Sequence, residues 1–155
     1  MALEDQLVKK LKEKNLTITT AESCTAGLLA GTICNVSGVS AHYMEGYVTY
    51  SNEAKHRLLG VSEETLMKYG AVSEQTAYEM AVGVARTAGA DTALVTTGIA
   101  GPDGGTAQKP VGLVYIGCFC QGKVVVKKCQ FSGGRQEVRM AAVNAAMELL
   151  LEELG

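Results

Sequence analysis

The sequence has no tryptophan, only two histidines and no excess of positive charge. Aromatic side chains make up 5% of the 155 residues, so a stacking surface for single-stranded nucleic acid is not expected. The formal net charge of −2 argues against the broad basic face of a sequence-independent nucleic-acid binder. We therefore expect no nucleic-acid partner.

The sequence also lacks the features of membrane, secreted and metal-binding proteins. No apolar run is long enough to span a membrane, and the N-terminus lacks the basic and apolar segments of a signal peptide, so we expect a cytoplasmic protein without membrane association. The five cysteines form no C-x-x-C pair, which predicts reduced core thiols. The carboxylates show no ligand spacing, so we expect no metal and no cofactor.

The pattern of apolar residues predicts a single α/β domain over residues 1–155. A hydrophobic content of 47% with 19% charged residues is typical of a folded globular chain. Segments with helical spacing alternate with short β-branched runs, and a tight turn at Gln121–Gly122 joins the strands Val111–Cys120 and Lys123–Phe131 into a hairpin. This order predicts a mixed, mainly parallel sheet covered by helices on both faces.

The stretch Thr19–Gly27 brings four hydroxyls, a carboxylate and a thiol to the junction between a short strand and a helix predicted over Thr25–Asn35. A helix start carries unpaired N–H groups and partial positive charge, which suit an anion or a developing oxyanion. Ser23 is therefore a candidate nucleophile, as in the strand-to-helix elbow of other hydrolases. The alternative is that Ser23 or Thr20 caps the helix.

Polar residues follow four predicted strands, and ligands in open α/β sheets bind beyond the carboxyl ends of the strands. The stretches are Thr20–Thr25, Tyr50–Lys55, Thr97–Thr106 and Ser132–Arg135. If buried, Lys55 becomes a usable base; otherwise it is a surface lysine paired with Glu53. A Ser/Lys pair needs only residues gathered here, whereas neither His42 nor His56 lies in a serine- or glycine-rich elbow that would support a Ser-His-Asp triad.

The third stretch is rich in glycine. Gly98, Gly101, Gly104 and Gly105 permit close backbone approach, and such loops can form nests of N–H groups around phosphate. The loop is neither a Walker A motif nor a dinucleotide-binding motif. Two basic residues could supply charge for a phosphate, namely Lys109 and Arg135. The alternatives are a structural loop before a hairpin and a solvent-exposed arginine.

At four blocks the chain resembles the CinA family, specifically the family's C-terminal domain in its stand-alone form. The blocks are Thr20–Gly27, Val48–Lys55, Gly70–Glu74 and Thr97–Gly105, and Lys109–Gly112 extends the last one. They follow one another in order along nearly the whole chain. Larger members carry a further N-terminal domain that resembles nucleotide pyrophosphatases. None of the blocks lies in that domain, so its activity is not expected.

The resemblance implies a three-layer α/β/α fold and a metal-independent Ser/Lys amidohydrolase. The reaction would convert nicotinamide mononucleotide to nicotinate mononucleotide and ammonia, in pyridine-nucleotide recycling. The positions that match the family's functional residues are Ser23, Ser40, Tyr50, Lys55, Thr97 and Arg135. A doublet of glycines in the family is Ala26–Gly27 here.

The expected mechanism uses Lys55 as the base for a serine. We favour Ser23 as the nucleophile with Ser40 as a relay, although the reverse order is an alternative. N–H groups at a helix start, with Thr97, would stabilise the oxyanion, and Tyr50 would relay a proton. Substrate binding is assigned to Thr25, Gly98, Gly101, Gly104, Gly105, Lys109 and Arg135.

Two alternatives remain open at the level of the sequence, one of function and one of substrate. The chain could be a non-catalytic nucleotide-binding module or a regulatory module associated with competence or damage. The substrate could be the riboside or another amide instead of the mononucleotide. Finally, Ala77, Ala81 and Ala85 form a small apolar helix face that permits close association, so we expect a homo-oligomer.

Overall fold

The computed structural model describes all 155 residues and contains six α-helices, one short 3₁₀ turn and a five-stranded sheet. None of the helices combines the length and the apolar character needed to cross a bilayer. In chain order the elements are α1 (Leu3–Lys14), β1 (Ile18–Glu22), α2 (Leu28–Ile33), the 3₁₀ turn (Val39–Ala41), β2 (Tyr47–Val48), α3 (Asn52–Leu59), α4 (Glu63–Tyr69), α5 (Glu74–Ala88), β3 (Thr92–Gly98), β4 (Leu113–Cys120), β5 (Lys123–Gln130) and α6 (Arg135–Leu154).

Serine caps and glycine stops define the three central helices. Ser51, Ser62 and Ser73 precede α3, α4 and α5, and each side chain accepts a hydrogen bond from the N–H three residues later. Such a cap is typically worth about 1 kcal/mol because it satisfies one of the unpaired N–H groups of the first turn. Gly60 and Gly89 end α3 and α5 in the left-handed conformation that glycine adopts without strain.

The sheet has the strand order β2-β1-β3-β4-β5. β1 pairs in parallel with β2 and β3, whereas β4 pairs in antiparallel fashion with β3 and β5. The predicted mixed sheet with its hairpin is confirmed, but it is half parallel rather than mainly parallel. The reason is the connection after β3, where residues 99–112 form a loop without a helix, so the chain returns in the opposite direction.

Helices cover both faces of the sheet and confirm the three-layer α/β/α fold. Successive residues of β3 point to opposite faces. Leu94 belongs to the larger core, which α1, α2 and α6 complete, and Ala93 and Val95 belong to the smaller core, which α3, α4 and α5 complete. Both cores are formed by buried apolar side chains, and Leu7 in the larger core and Met80 in the smaller one are 0% exposed.

The small face of α5 lies inside the chain. Ala77 and Ala81 are 0% exposed and Ala85 is 4% exposed. Ala77 and Ala81 pack toward the sheet at Gly117 of β4, where an added Cβ atom would lie 2.8 Å from the Ala77 carbonyl oxygen. The helix face on which we based self-association is therefore occupied by the chain's own sheet, and the homo-oligomer stays a prediction without that support.

Gly83 of α5 tests the contact between this helix and α3. A Cβ atom at Gly83 would lie 1.8 Å from the Leu59 carbonyl oxygen, so Gly83→Ala must push the two helices apart. We expect the free energy of unfolding in urea to fall by about 2 kcal/mol. Gly31→Ala is the matched control because nothing lies within 4 Å of its added Cβ in α2, and stability there should rise slightly. Equal stability of the two variants would contradict this packing.

Candidate active site

A cavity of about 280 Å³ opens beyond the carboxyl ends of the parallel strands β1, β2 and β3. All four polar stretches singled out in the sequence contribute to its walls. The predicted residues that line it are Ser23, Tyr50, Lys55, Thr97, Gly98, Gly101, Gly104 and Arg135. The topological expectation that the ends of these strands meet at one site is therefore correct.

Ser23 and Lys55 meet at this cavity. Ser23 follows the last residue of β1, and its N–H donates to the Thr96 carbonyl of the neighbouring strand β3. Lys55 lies in the first turn of α3, which Ser51 caps. The Lys55 Nζ atom lies 3.3 Å from the Ser23 Oγ atom. Two side chains that are 32 residues apart in the chain thus form one hydrogen-bonded pair.

The Lys55 side chain is 1% exposed, so the alternative of a surface lysine is wrong. Its Nζ atom donates to the Thr49 carbonyl at 2.9 Å and lies 3.5 Å from the Tyr50 carbonyl, and it forms no ion pair with a carboxylate. Burial disfavours the ammonium form and lowers the pKa of Lys55 from 10.5 to about 8. A neutral amine has two N–H bonds for the two carbonyls and one lone pair, which is left for the hydroxyl hydrogen of Ser23.

The thiol next to Ser23 is not a competing nucleophile. Cys24 is 5% exposed, and burial raises the pKa of its thiol to about 11. Only the thiolate is a strong nucleophile, and at neutral pH this cysteine stays protonated. Within this turn, the hydroxyl of Ser23 is the group that has a base beside it.

Glu22, and neither Ser23 nor Thr20, caps α2. The Glu22 carboxylate is fully buried and accepts the N–H groups of Leu29 and Ala30 at 2.8 and 3.0 Å. The helix begins at Leu28 rather than Thr25, because the residues before it form a turn. The capping alternative for Ser23 is wrong, and so is the expectation that the start of α2 offers free N–H groups to an oxyanion.

Two predicted threonines are committed to the chain's own structure. Thr25 is 0% exposed, bonds to Glu22 and to Thr96, and does not line the cavity, so its assignment to substrate binding is wrong. Thr97 does line the cavity, but its hydroxyl donates to the Ala71 carbonyl at 2.8 Å. This bond holds the segment before α5 against the site, so the hydroxyl hydrogen is not free for an oxyanion.

The glycine-rich loop contributes three of its four glycines to the cavity. Gly105 is outside, where its missing side chain makes room for Val111, whose backbone nitrogen would lie 2.8 Å from an added Cβ atom. Lys109 is also outside, and its Nζ atom donates to the Tyr69 carbonyl. The substrate-binding roles predicted for Gly105 and Lys109 are therefore not supported by their positions.

Arg135 joins two of the loops at the mouth of the cavity. Its Nη1 atom donates to the Gly101 carbonyl at 2.8 Å, and its Nη2 atom donates to the Tyr50 hydroxyl at 3.3 Å. A guanidinium group has five N–H donors, so three remain for a ligand. Arg135 is also the first residue of the 20-residue helix α6, whose N-terminal end carries partial positive charge. Tyr50 is 59% exposed and is positioned by this arginine.

Ser40 lies away from the cavity. It is exposed on the 3₁₀ turn, two residues before His42, whose carbonyl accepts the N–H of Ile18. Ile18 begins β1 and Ser23 follows its end, and a five-residue strand spans about 17 Å. The expectation that Ser40 reaches Lys55, as nucleophile or relay, is wrong within this chain.

The sequence interpretation missed other residues at the site. Arg139 binds the turn after Ser23. The residues that complete the walls of the cavity are Cys24, Ala71, Val72, Ile99, Ala100 and Asp103. Arg139 could have been found, because it lies four residues after Arg135 and therefore on the same face of α6. No three His, Cys, Asp or Glu side chains converge as the ligands of a metal site would.

The family model described as the CinA C-terminal domain matches residues 1–154. The chain belongs to the CinA family. A protein of Clostridium beijerinckii described as competence-damage inducible is 55% identical over 148 residues, and a CinA-like protein of Kosmotoga olearia is 54% identical over 153 residues. These matches include 96% and 99% of this chain, but the chain spans only 36% and 37% of the length of these curated relatives.

Solved CinA structures have the same fold. The competence/damage inducible protein CihA from Agrobacterium tumefaciens superposes with a TM-score of 0.94 at 43% identity, over 97% of this chain and 92% of that one. The competence damage-inducible protein A from Klebsiella pneumoniae gives a TM-score of 0.95 at 39% identity, over 98% of this chain and 94% of that one. The three-layer architecture is therefore the CinA architecture.

The burial of Lys55 predicts a pH-dependent stability. The folded chain has the lower pKa, so between pH 8 and 10.5 the unfolded chain binds more protons, and stability rises with pH. Relative to Lys55→Met, the free energy of unfolding of the wild type should increase by about 3 kcal/mol over that range. Below pH 8 the difference should be constant. Lys9→Met, which removes an exposed lysine of α1, should run parallel to the wild type. A pH-independent difference for Lys55→Met would contradict a lowered pKa.

Proposed function

We propose that this CinA-family chain is an amidohydrolase that converts nicotinamide mononucleotide to nicotinate mononucleotide and ammonia. The observation that carries the proposal is the buried Lys55 hydrogen-bonded to Ser23 on the wall of a cavity. A buried lysine with no carboxylate partner destabilises the fold, and such perturbed groups are concentrated at functional sites. The family resemblance supplies the substrate, and the arginine at the mouth fits its phosphate.

In the acylation step, neutral Lys55 accepts the hydroxyl proton of Ser23 while the Oγ atom attacks the carboxamide carbon. The electron pair of the carbonyl moves to its oxygen and forms a tetrahedral oxyanion. The Thr49 and Tyr50 carbonyls hold the amine so that its lone pair faces the serine. A base with a pKa close to the working pH combines availability with proton affinity.

The oxyanion needs a donor other than the start of α2. No main-chain carbonyl accepts the N–H of Cys24, and Cys24 follows Ser23 in the chain and lines the cavity. The N–H of the residue after the nucleophile is the usual donor in strand-to-helix elbows. One such donor is worth about 3 kcal/mol of transition-state stabilisation. Protonated Lys55 then donates to the leaving ammonia, and the amine next activates the water that hydrolyses the acyl-serine.

Substrate binding is carried by the mouth of the cavity. The three free N–H donors of Arg135 can hold a phosphate in charge-assisted hydrogen bonds, close to the positive end of α6. Gly98, Gly101 and Gly104 let the ligand approach the backbone closely. Binding energy from the phosphate and ribose orients the distant amide for attack.

A regulatory, non-catalytic module is the second candidate, because relatives are described by competence and damage rather than by a reaction. Such a module would need the loop and Arg135 but not a buried lysine facing a serine. Burying Lys55 costs free energy and lowers its pKa, which a module that only binds a nucleotide does not need. The buried lysine therefore favours an enzyme over a regulatory module.

The decisive assay measures ammonia release from nicotinamide mononucleotide. We expect turnover by the wild type, and a loss of at least about 1,000-fold in kcat for Ser23→Ala and for Lys55→Met. Ser37→Ala and Lys9→Met, which change exposed residues away from the cavity, are the matched controls. Because Lys55 must be neutral, kcat/KM should rise about tenfold per pH unit below pH 8 and level off above it.

Three results would contradict this assignment. Nucleotide binding without ammonia release would favour the regulatory module. A pH-independent kcat/KM between pH 6 and 9 would exclude Lys55 as the base. An acyl adduct that mass spectrometry locates on Ser40 would replace Ser23 as the nucleophile.

Arg135 distinguishes the mononucleotide from the riboside. Arg135→Met should raise KM for nicotinamide mononucleotide by about 100-fold, since a charge-assisted pair is worth about 2–3 kcal/mol. KM for nicotinamide riboside, which has no phosphate, should change far less in the same variant. Equal effects on both substrates would show that Arg135 only positions Gly101 and Tyr50.

A further inference from the structure

We propose that Arg139 is a positioning residue that holds the turn after Ser23 in its attacking geometry; the inference rests on the proposed function. Arg139 lies in α6 and reaches more than a hundred residues back along the chain. Its Nε atom donates to the Cys24 carbonyl at 3.0 Å, and its Nη2 atom donates to the Thr25 carbonyl at 2.9 Å. It does not line the cavity, so it acts through the turn and not by touching the substrate.

The turn needs external support. Ala26 has a φ of +47° and Gly27 a φ of +96°, and the left-handed conformation costs a non-glycine residue about 1–2 kcal/mol. The Cys24 carbonyl accepts no other hydrogen bond in the chain. On the other side of the turn, the buried Glu22 carboxylate holds the start of α2. Glu22 and Arg139 therefore hold the strained turn from opposite ends.

Holding a carbonyl also fixes the N–H of the next residue. The C=O of Cys24 and the N–H of Thr25 belong to one planar trans peptide and point in opposite directions. Arg139 therefore fixes the orientation of two peptide planes, Cys24–Thr25 and Thr25–Ala26, which come directly after the plane that carries the N–H of Cys24. The turn cannot rotate about its backbone bonds without breaking at least one of these bonds to the guanidinium.

A guanidinium is suited to this task and an ammonium is not. The Nε and Nη2 donors of one planar fork bind two consecutive carbonyls at once. Lysine presents a compact point charge on a flexible stem and does not reproduce this geometry. One turn earlier, Arg135 binds Gly101 and Tyr50, so the first two turns of α6 connect the loops that follow β1, β2 and β3.

The test compares the chemical reactivity of Ser23 with substrate turnover. In Arg139→Ala, we expect kcat for nicotinamide mononucleotide to fall about 100-fold, as a misplacement of about 1 Å does, with KM changed less than about twofold. Phosphonylation of Ser23 by an aryl fluorophosphonate, in which an Oγ–P bond forms and fluoride leaves, is followed by mass spectrometry and should slow by a similar factor. Millimolar methylguanidinium should restore part of both rates in Arg139→Ala and none in Arg139→Lys.

Arg86→Ala is the matched control, because Arg86 also donates to a main-chain carbonyl, that of Leu59, away from the cavity. Arg86→Ala should lower the urea concentration at the midpoint of unfolding without slowing the reaction of Ser23 with the fluorophosphonate. A wild type that reacts with the fluorophosphonate but releases no ammonia would overturn the proposed function, and the reactivity comparison would still decide the role of Arg139. Wild-type reactivity of Ser23 in folded Arg139→Ala, or a loss of stability alone, would overturn the positioning role.

Discussion

Burying the amine of Lys55 is the constraint on which the architecture of the site depends. Taking a lysine out of water is unfavourable unless its N–H groups find acceptors, and here the acceptors are the Thr49 and Tyr50 carbonyls. Both belong to the chain as it leaves the short strand β2 and turns into α3. Strand β2 positions the Thr49 and Tyr50 carbonyls, and Ser51 caps the start of α3. Lys55 therefore reaches the site from the first turn of α3. The opposite wall is Ser23, which the parallel strand β1 delivers to the same edge.

The first two turns of α6 orient the loops that the sheet brings together. Parallel strands bring three loops to one edge, but they do not determine how the loops are oriented. Arg139 does so by binding the Cys24 and Thr25 carbonyls. Arg135 does so by binding the Gly101 carbonyl and the Tyr50 hydroxyl. The turn after Ser23 and the mouth of the cavity are both bound by side chains of α6. The positions of the residues in the site therefore depend on how α6 packs against the larger core.

Much of this arrangement can be predicted from the sequence because it depends on local or topological rules. Serine caps, the hairpin turn and the gathering of Ser23, Lys55 and Arg135 beyond the strand ends belong to this class. Contacts in which a long side chain binds a main-chain group far away in the sequence cannot be predicted in this way. Glu22 takes the start of α2, and Lys109 binds Tyr69 instead of the cavity. For Ser40, matching a motif located the residue in the sequence, whereas only the path of the chain beside β1 shows which end of the strand it occupies.

The connection between β3 and β4 has an evolutionary consequence. Residues 99–112 carry no helix and supply part of the wall of the cavity, whereas Ser23 and Lys55 lie on other connections. Surface loops tolerate changes of length and composition far better than strands or helices do. The loop wall of the cavity and the Ser23–Lys55 pair are therefore separable in this fold. A lineage can remodel this one loop to fit a different ligand while the serine, the lysine and the sheet beneath them stay unchanged.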